Sequence, residues 1–460
     1  MNMKTANKKS TFFCTACGYE SAGYMGKCPG CQAWSSFKEA PKITASKKEA
    51  KHQLFVTPES QLLKLSEIKE DELSRYDTKS PEFNRVLGEG LVPGSLTLLG
   101  GEPGIGKSTL LLQITKNFSE QDLSVLYISA EESSRQLKLR ANRLNIKQSN
   151  ADILVLAESN LNKIIDTIEN LEPNLVIVDS IQAVYIPDID SVPGSPSQIR
   201  QCCGNLMRLA KSLNVPIIIV GHINKDGDIA GPKILEHMVD TVLQFENTRD
   251  SNIRFLRTIK NRFGSTDEVG IFRMESYGLI DLVNPSEIFL AEKSDGMIFA
   301  AREGKRTLLL EMQALALNSD YNNPRRVANG IEISRLHQIL AIVEKKLGVS
   351  LSKSDIYLNV VGGMAIKDTA ADLSIALAVY NSISNQANNT NIVALGELGL
   401  SGEIRAVTDI EARIKECIKL GYKTIIIPES NYRKLRDIDK EAKIISAINI
   451  SELVKFTSPH

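Results

Sequence analysis

The segment that most constrains this chain is a glycine-rich stretch at residues 101–108, GEPGIGKS, which fits the pattern GxxxxGK[ST]. An apolar run, SLTLLG, precedes it, and STLLLQIT, with apolar residues at helical spacing, follows it. A strand, a glycine-rich loop and a helix in this order bind phosphate, because loop amides and the positive end of the helix point at the anion. The pattern therefore predicts an α/β core that binds ATP.

The expected roles within this loop follow from side-chain chemistry. Lys107 would reach the β- and γ-phosphates, and the Ser108 hydroxyl would bind Mg²⁺. The alternative is a glycine-rich turn that matches the pattern by chance. The predicted nucleotide-binding residues are Gly101, Glu102, Pro103, Gly104, Ile105, Gly106, Lys107, Ser108 and Thr109.

Further short apolar runs indicate the rest of this core. They alternate with helical patterns, which is typical of a mainly parallel sheet covered by helices. We expect one ATPase domain over residues 66–283. The runs are SVLYISA (124–130), NLVIVDS (174–180), VPIIIVG (215–221) and FLRTIK (255–260).

Acidic residues at the ends of two of these runs predict the catalytic chemistry. Asp179 ends NLVIVDS and would hold Mg²⁺ with Ser108, although Asp179 or Ser180 could instead cap a helix. Glu131 follows SVLYISA and would activate the attacking water, with Glu132 as the competing candidate.

Four cysteines near the start predict a metal site within residues 1–50. The spacing, two CxxC pairs ten residues apart, suits a closed tetrahedral Zn²⁺ site, and a redox-active dithiol is the alternative. The predicted zinc ligands are Cys14, Cys17, Cys28 and Cys31.

Composition excludes several classes of protein. Lys plus Arg and Asp plus Glu both total 55, so the chain is not a polycation, although residues 1–51 carry nine Lys against three Glu, or +6. The 42% hydrophobic content is typical of globular domains. No apolar run approaches the ~20 residues needed to span a bilayer, and the N-terminus lacks a secretory signal. We therefore expect a cytoplasmic protein without a membrane partner.

Longer motifs resemble a known family. The order of loop, Glu131 and Asp179 resembles the RecA/DnaB class of ATPases, and GGEPGIGKSTLL, SAEES, VGHINKDGDIAGPKILEHMVD and KNRFG are similar to the bacterial RadA (Sms) family over essentially the whole chain. The resemblance implies a DNA-dependent ATPase and hexameric helicase that acts with RecA recombinase on single-stranded and branched DNA. Branch migration of recombination intermediates during homologous recombination and repair would be its task.

The resemblance also implies residue roles. Lys260 and Arg262 of KNRFG would act on the γ-phosphate of a neighbouring subunit, and His222 would sense that phosphate; solvated charges and a structural histidine are the alternatives. Two loops, 224–233 and 186–200, would contact DNA, or simply connect elements. Their expected DNA-binding residues are Lys225, Gly227, Lys233 and Arg200.

The last segment, residues 284–460, has its own strands and helices and resembles the proteolytic domain of Lon. Ala371 stands where that domain has its nucleophilic serine, and Glu411 stands where it has its basic lysine. A methyl group cannot attack a carbonyl, so we expect a Lon-like domain without catalytic residues. An ATP-dependent Lon-like protease and an ATP-regulated, zinc-containing adaptor are the alternative functions.

Overall fold

The computed structural model describes most of the chain from residue 75 onward and parts of the N-terminus. Two compact units contain these residues: Met1–Glu246 with Leu256–Thr266 and Met274–Asp281, and Asn247–Phe255 with Asp267–Arg273 and Leu282–His460. The described residues are 12–14, 20–21, 23–29, 32, 34–39, 75–146, 153–222, 233–247, 252–290, 296–319, 323–384, 392–435 and 442–453.

A small antiparallel sheet forms the described part of the N-terminus. Its strands are β1 (Phe12–Cys14), β2 (Glu20–Ser21) and β3 (Phe37–Glu39), in the order β2-β1-β3. Cys14, Cys28 and Phe37 pack together in its centre, so two of the predicted metal ligands lie in the interior of this sheet region.

A nine-stranded sheet in the order β12-β11-β10-β9-β4-β8-β7-β5-β6 forms the core of the next region. Neighbouring strands from β9 to β6 all pair in parallel, as the alternating pattern predicts. The elements are α1 (Pro81–Leu87), β4 (Leu96–Gly101), α2 (Lys107–Ser119), β5 (Val125–Ser129), α3 (Ser134–Arg143), β6 (Ile153–Leu156), α4 (Leu161–Leu171), β7 (Leu175–Asp179), α5 (Pro196–Leu213), β8 (Ile217–His222), α6 (Lys233–Glu236), β9 (Thr241–Asn247), β10 (Ile253–Asn261), β11 (Val269–Glu275) and β12 (Gly278–Asp281).

The central strands β4, β7 and β8 are almost fully buried, which explains their continuous runs of aliphatic residues. Because β4 lies between β8 and β9, the loop after β4 leaves the sheet near its middle, at the carboxyl ends of the parallel strands. The carboxyl ends of β5, β7 and β8 lie along the same edge, since these strands are parallel to β4.

The C-terminal unit contains a seven-stranded sheet in the order β15-β16-β14-β13-β17-β20-β21 and a two-stranded sheet of β18 and β19. A large apolar core includes residues of α8 and α9. Its elements are α7 (Ser286–Phe289), β13 (Met297–Glu303), β14 (Arg306–Asn318), β15 (Arg326–Asn329), α8 (Ile333–Leu347), β16 (Ser354–Val360), a 3₁₀ helix (Thr369–Ala371), α9 (Asp372–Ile383), β17 (Ile392–Ala394), β18 (Glu397–Leu398), β19 (Ile404–Arg405), α10 (Ile410–Lys419), β20 (Thr424–Pro428), α11 (Glu429–Tyr432), β21 (Lys443–Ala447) and a second 3₁₀ helix (Ile450–Glu452).

Among the helices that the structure describes, none combines the length and the apolar character that crossing a membrane requires.

Candidate nucleotide site

The glycine-rich loop connects the end of β4 to the start of α2. Gly104 and Gly106 adopt φ values of +77° and +121°, a region that side chains disfavour. A Cβ on Gly106 would also lie 2.7 Å from the Cε of Met274. Because the end of a methionine side chain can move aside, the positive φ is what requires glycine at residue 106, as the motif predicts.

The start of α2 offers unpaired donors to the loop. Its capping residue, Gly106, provides no side-chain cap, so the amides of the first turn point into the concave side of the loop. Ser108 lies in that first turn and is half-buried, whereas Glu102, Pro103 and Gly104 are exposed. This arrangement suits an anion with several oxygens.

Lys107 is the first residue of α2 and is 5% exposed. Its Nζ donates to the carbonyl oxygens of Gly101 at 2.7 Å and Glu102 at 2.9 Å, so the ammonium lies inside the loop. Burial lowers the pKa of Lys107 to about 8, although Asp179 and Glu131 attract the ammonium and oppose this shift. The loop thus holds a desolvated cation whose charge a phosphate would stabilise.

The side chain of His222 lies between those of Lys107 and Glu131 and contacts both. Because Gly101 pairs with His222 across β4 and β8, the imidazole lies beside the loop, with Nδ1 3.5 Å from Lys107 Nζ and Nε2 3.4 Å from Glu131 Oε1. Glu131 also accepts a hydrogen bond from the Ser180 hydroxyl. The pKa of Glu131 lies below its usual value chiefly because of the hydrogen bond from His222. The hydrogen bond from Ser180 adds to this shift, and partial burial opposes it.

Asp179 ends β7 and accepts a hydrogen bond from the Tyr127 hydroxyl at 2.7 Å. Burial, together with the negative charge of Asp179, raises the pKa of Tyr127 well above its usual value, so the phenol stays a donor. No helix begins between Asp179 and Pro196, so the alternative of a helix cap at Asp179 or Ser180 is wrong. The contacts of Tyr127 with Asp179 and of Ser180 with Glu131 are not predicted from the sequence, since they depend on the adjacency of β5 and β7.

The two neighbouring glutamates point to different partners. Glu132 forms an ion pair with Arg140 on α3, whereas Glu131 contacts His222 and Ser180. Glu131 is therefore the carboxylate beside the loop.

Lys260 and Arg262 lie near the amino end of β4, at the opposite end of the strand from the glycine-rich loop. Lys260 Nζ donates to the carbonyl oxygens of Glu236 and Val239, and Arg262 Nη1 lies 3.4 Å from Asp240 Oδ1. Both cations thus point to one segment, residues 236–240. The Asp240 amide bonds to Leu96 at the start of β4, five residues before Gly101, or about 16 Å along an extended strand.

The predicted DNA contacts are only partly within the described residues. Lys225 and Gly227 lie outside them, and Lys233 begins α6 without a described side chain. Arg200 is exposed, but the expected loop 186–200 ends at Ser195, because Pro196 begins α5 and Ser195 caps it. Arg200 is therefore a helical residue, which corrects its assignment to a loop.

The cysteine cluster is also partly described. Cys14 and Cys28 are each 1% exposed, whereas Cys17 and Cys31 lie outside the described residues. Within the part of the chain that the structure describes, no group of three or more potential ligands assembles. Two buried thiols beside Phe37 fit a closed structural metal site.

In the C-terminal unit, Ala371 ends the first 3₁₀ helix and is 2% exposed, and Glu411 is an exposed residue in the first turn of α10. Neither side chain supplies the nucleophile or the base of a Ser-Lys dyad.

Three family models match parts of the chain. A model described as AAA domain matches residues 63–228, one described as Subunit ChlI of Mg-chelatase matches residues 329–431, and one described as Rubredoxin metal binding domain matches residues 12–39. The fold prediction is confirmed: a RecA-like P-loop core, an N-terminal zinc ribbon and a Lon-like C-terminal domain.

Solved and curated proteins are similar to this chain. The solved RadB recombinase is 21% identical, with a TM-score of 0.35, over 44% of this chain and 98% of that chain. "DNA repair protein RadA" of Halalkalibacterium halodurans is 47% identical over 93% of this chain and 94% of its own length, and the protein of that name from Bacillus subtilis is 46% identical over 98% and 99%. Identities this high over nearly the full length show that the chain belongs to the DNA repair protein RadA family.

Proposed function

We propose that the chain is a DNA-dependent ATPase and hexameric helicase that carries out branch migration of recombination intermediates in homologous recombination and DNA repair. Its substrates are single-stranded and branched DNA, and RecA recombinase is its partner. Residues 1–50 form a zinc-binding knuckle with its linker, residues 66–283 form the motor, and residues 284–460 form a Lon-like scaffold. Zn²⁺ is held by the four N-terminal cysteines.

In this mechanism the loop amides and Lys107 bind the phosphates of ATP, and Ser108 and Asp179 hold Mg²⁺, which neutralises phosphate charge when bound. Glu131 accepts a proton from the attacking water, since its lowered pKa keeps it ionised. His222 lies within 3.5 Å of both Lys107 and Glu131, so a change at the phosphates reaches β8 and the loop after it.

The observation that carries the proposal is the separation of Lys260 and Arg262 from the glycine-rich loop of the same chain. The glycine-rich loop follows the carboxyl end of β4, whereas the two cations lie near its amino end. The strand between them is about 16 Å long. Cations placed in this way do not reach the phosphate of their own loop, so a phosphate that they contact belongs to another subunit, which supports ATP binding between subunits.

Mixing two inactive variants tests this. Lys107→Ala removes the phosphate-binding cation, and Lys260→Ala removes the cation near the amino end of β4. In a mixed oligomer, some interfaces join an intact loop to an intact Lys260. We therefore expect the mixture to recover part of the ATPase activity that each variant lacks.

A matched control mixes Lys107→Ala with Glu131→Gln, because both changes affect the same nucleotide site and every subunit of the mixture then carries a defective site. Recovery in the first mixture but not in the control supports sharing of the site. Equal, negligible activity in both mixtures, with oligomers shown to exchange subunits, argues against it.

Unwinding of forked DNA with either arm single-stranded, with and without RecA recombinase, tests the motor function. ATP-dependent strand separation that Lys107→Ala abolishes is the expected result. DNA-stimulated ATPase activity without strand separation would instead favour the ATP-regulated adaptor. ATP-dependent hydrolysis of casein would favour the protease, against the residues present at Ala371 and Glu411.

A further inference from the structure

Two aromatic side chains of the N-terminal ribbon lie open to solvent. Trp34 is 74% exposed and Tyr24 is 59% exposed, although rings of this size usually bury most of their surface. The ring of Tyr24 meets Phe12 edge-on, with centroids 6.2 Å apart, so its orientation is supported from the ribbon side. The ribbon therefore presents flat apolar faces that its own interior does not use.

A cation lies over one of these rings. Lys27 and Trp34 face each other across an antiparallel bridge, and the Ser35 amide bonds to the Gly26 carbonyl at 2.8 Å beside it. Lys27 Nζ is 5.6 Å from the centre of the Trp34 ring, within the range of a cation–π contact. Because the two residues are held by the backbone, the ring and the positive charge form one surface.

Positive charge surrounds this surface in the sequence. Residues 12–39 are neutral, with Lys27 and Lys38 against Glu20 and Glu39. Residues 1–11 carry three Lys and no acid, and residues 40–51 carry four Lys and one Glu, so each flank contributes +3. A stacking face between two basic segments complements a polyanion that carries exposed rings.

We propose that the ribbon binds single-stranded DNA, with a base stacked on Trp34 and the adjoining phosphate beside Lys27. This inference rests on the DNA binding in the proposed function and adds a contact outside the motor core. Stacking on an aromatic ring is tolerant of sequence, because every base has a π face. A protein partner is the competing occupant, and the flanking charges favour the polyanion over it.

Trp34 is the only tryptophan in the chain, so its fluorescence reports on this surface in the full-length protein. Titration with oligo(dT) at low salt is expected to quench Trp34 emission to saturation. The quenching should be lost as salt rises, since phosphate contacts release counterions. Fluorescence anisotropy of a labelled oligo(dT) measures binding to the whole protein in parallel.

Variants make the test specific. Trp34→Ala should weaken oligo(dT) binding by about 5- to 100-fold, and Trp34→Phe should keep much of the affinity because it keeps a stacking face. Lys27→Ala should weaken binding and reduce its salt dependence. Tyr277→Ala removes an aromatic side chain that is 54% exposed outside the ribbon, and it should leave binding unchanged.

The outcomes separate the two proposals. Oligo(dT) that binds by anisotropy without altering Trp34 emission, or binds Trp34→Ala and the wild type equally, overturns the ribbon site and leaves DNA binding by the core intact. A failure of the full-length protein to bind oligo(dT) at any salt concentration overturns both. Quenching by purified RecA recombinase but not by oligo(dT) would assign the surface to a protein.

Discussion

Two clusters of charged residues in this chain differ in their exposure to solvent. Beside the glycine-rich loop, the side chains of His222 and Glu131 are 36% and 44% exposed, so a ligand can reach both. In the C-terminal unit, Arg413 is 1% exposed and donates to Asp368 and to the carbonyl oxygens of Ala300 and Thr408. The polar groups beside the glycine-rich loop are therefore open to a ligand, whereas those around Arg413 are bonded to one another within the fold.

A second pair, in which the carboxylate is buried and the guanidinium is 30% exposed, supports the same contrast. Arg335 donates through two nitrogens to Asp372, which is 2% exposed and also accepts from the Leu398 amide at 3.1 Å. Burial raises the pKa of Asp372, although the hydrogen bond from Arg335 opposes this. Removing one member of such a pair leaves an uncompensated charge, whereas removing an accessible group chiefly affects the ligand.

The largest expected effect concerns the buried cluster. Arg413→Ala removes the donor that Asp368 and two carbonyl oxygens share, although Asp368 keeps the Arg302 and Ala370 amides, so we expect a loss of about 3 kcal/mol in the free energy of unfolding of the C-terminal unit. Hydrogen exchange of the β13 and β14 amides measures this loss.

Arg405→Ala is the matched control, because Arg405 is 60% exposed and pairs with Glu403 at the surface. Its effect should stay below about 1 kcal/mol. Equal effects of the two substitutions would remove the distinction between the buried and accessible clusters.

Glu131→Gln should lower the kcat of ATP hydrolysis by about 100-fold, since the amide cannot accept a proton, while ATP binding persists. Glu132→Gln, which breaks the pair with Arg140, should change kcat little. Single-turnover hydrolysis and nucleotide binding separate the two effects. A larger loss for Glu132→Gln would mean that the catalytic role belongs to Glu132 and not to Glu131.

The affinity for ATP should fall as pH rises above about 8. Burial lowers the pKa of Lys107 to about 8 in the nucleotide-free site, and phosphate favours the ammonium, so binding above this pH requires proton uptake. Between pH 7 and pH 9 the expected loss of affinity is about tenfold. Lys107→Arg keeps its charge over this range, so a slope as steep as that of the wild type would exclude Lys107 as its source.

The smallest effect is expected from restoring a hydroxyl in the Lon-like domain. Ala371→Ser places a serine in a buried 3₁₀ helix without a lysine base, because Glu411 is a carboxylate on the surface of α10. We expect no peptide hydrolysis and no labelling by a serine-directed fluorophosphonate. Labelling of this variant, but not of the wild type, would mean that the domain retains an activating environment.

The sequence predicts the accessible cluster well because its parts are marked locally. Glycines with positive φ, a lysine at the start of a helix and acidic residues at strand ends each leave a pattern within a few residues. The pairing of β4 with β8 brings His222 to Lys107.

The buried cluster was not predictable in the same way. Arg413 and Asp368 are 45 residues apart, and no local pattern marks either as the other's partner. The same holds for Tyr127 and Asp179, 52 residues apart, whose hydrogen bond depends on two strands lying side by side. Arg200 shows a different limit, because α5 begins at Pro196 with Ser195 as its cap, inside the segment expected to be a loop.

The glycine-rich loop lies at one end of β4, and Lys260 and Arg262 lie near the other. This placement also restricts the symmetry of an assembly in which subunits share the nucleotide site. In a two-fold dimer one patch meets its own copy and each contact is made twice, so a loop meets the partner's cations only if loop and cations share that patch. An assembly that brings the cations of one surface to the phosphate at a different surface of its neighbour joins unlike surfaces, head to tail. Such contacts continue indefinitely as a filament unless a rotation between successive subunits closes them, so the angle between neighbours decides whether the assembly is a ring.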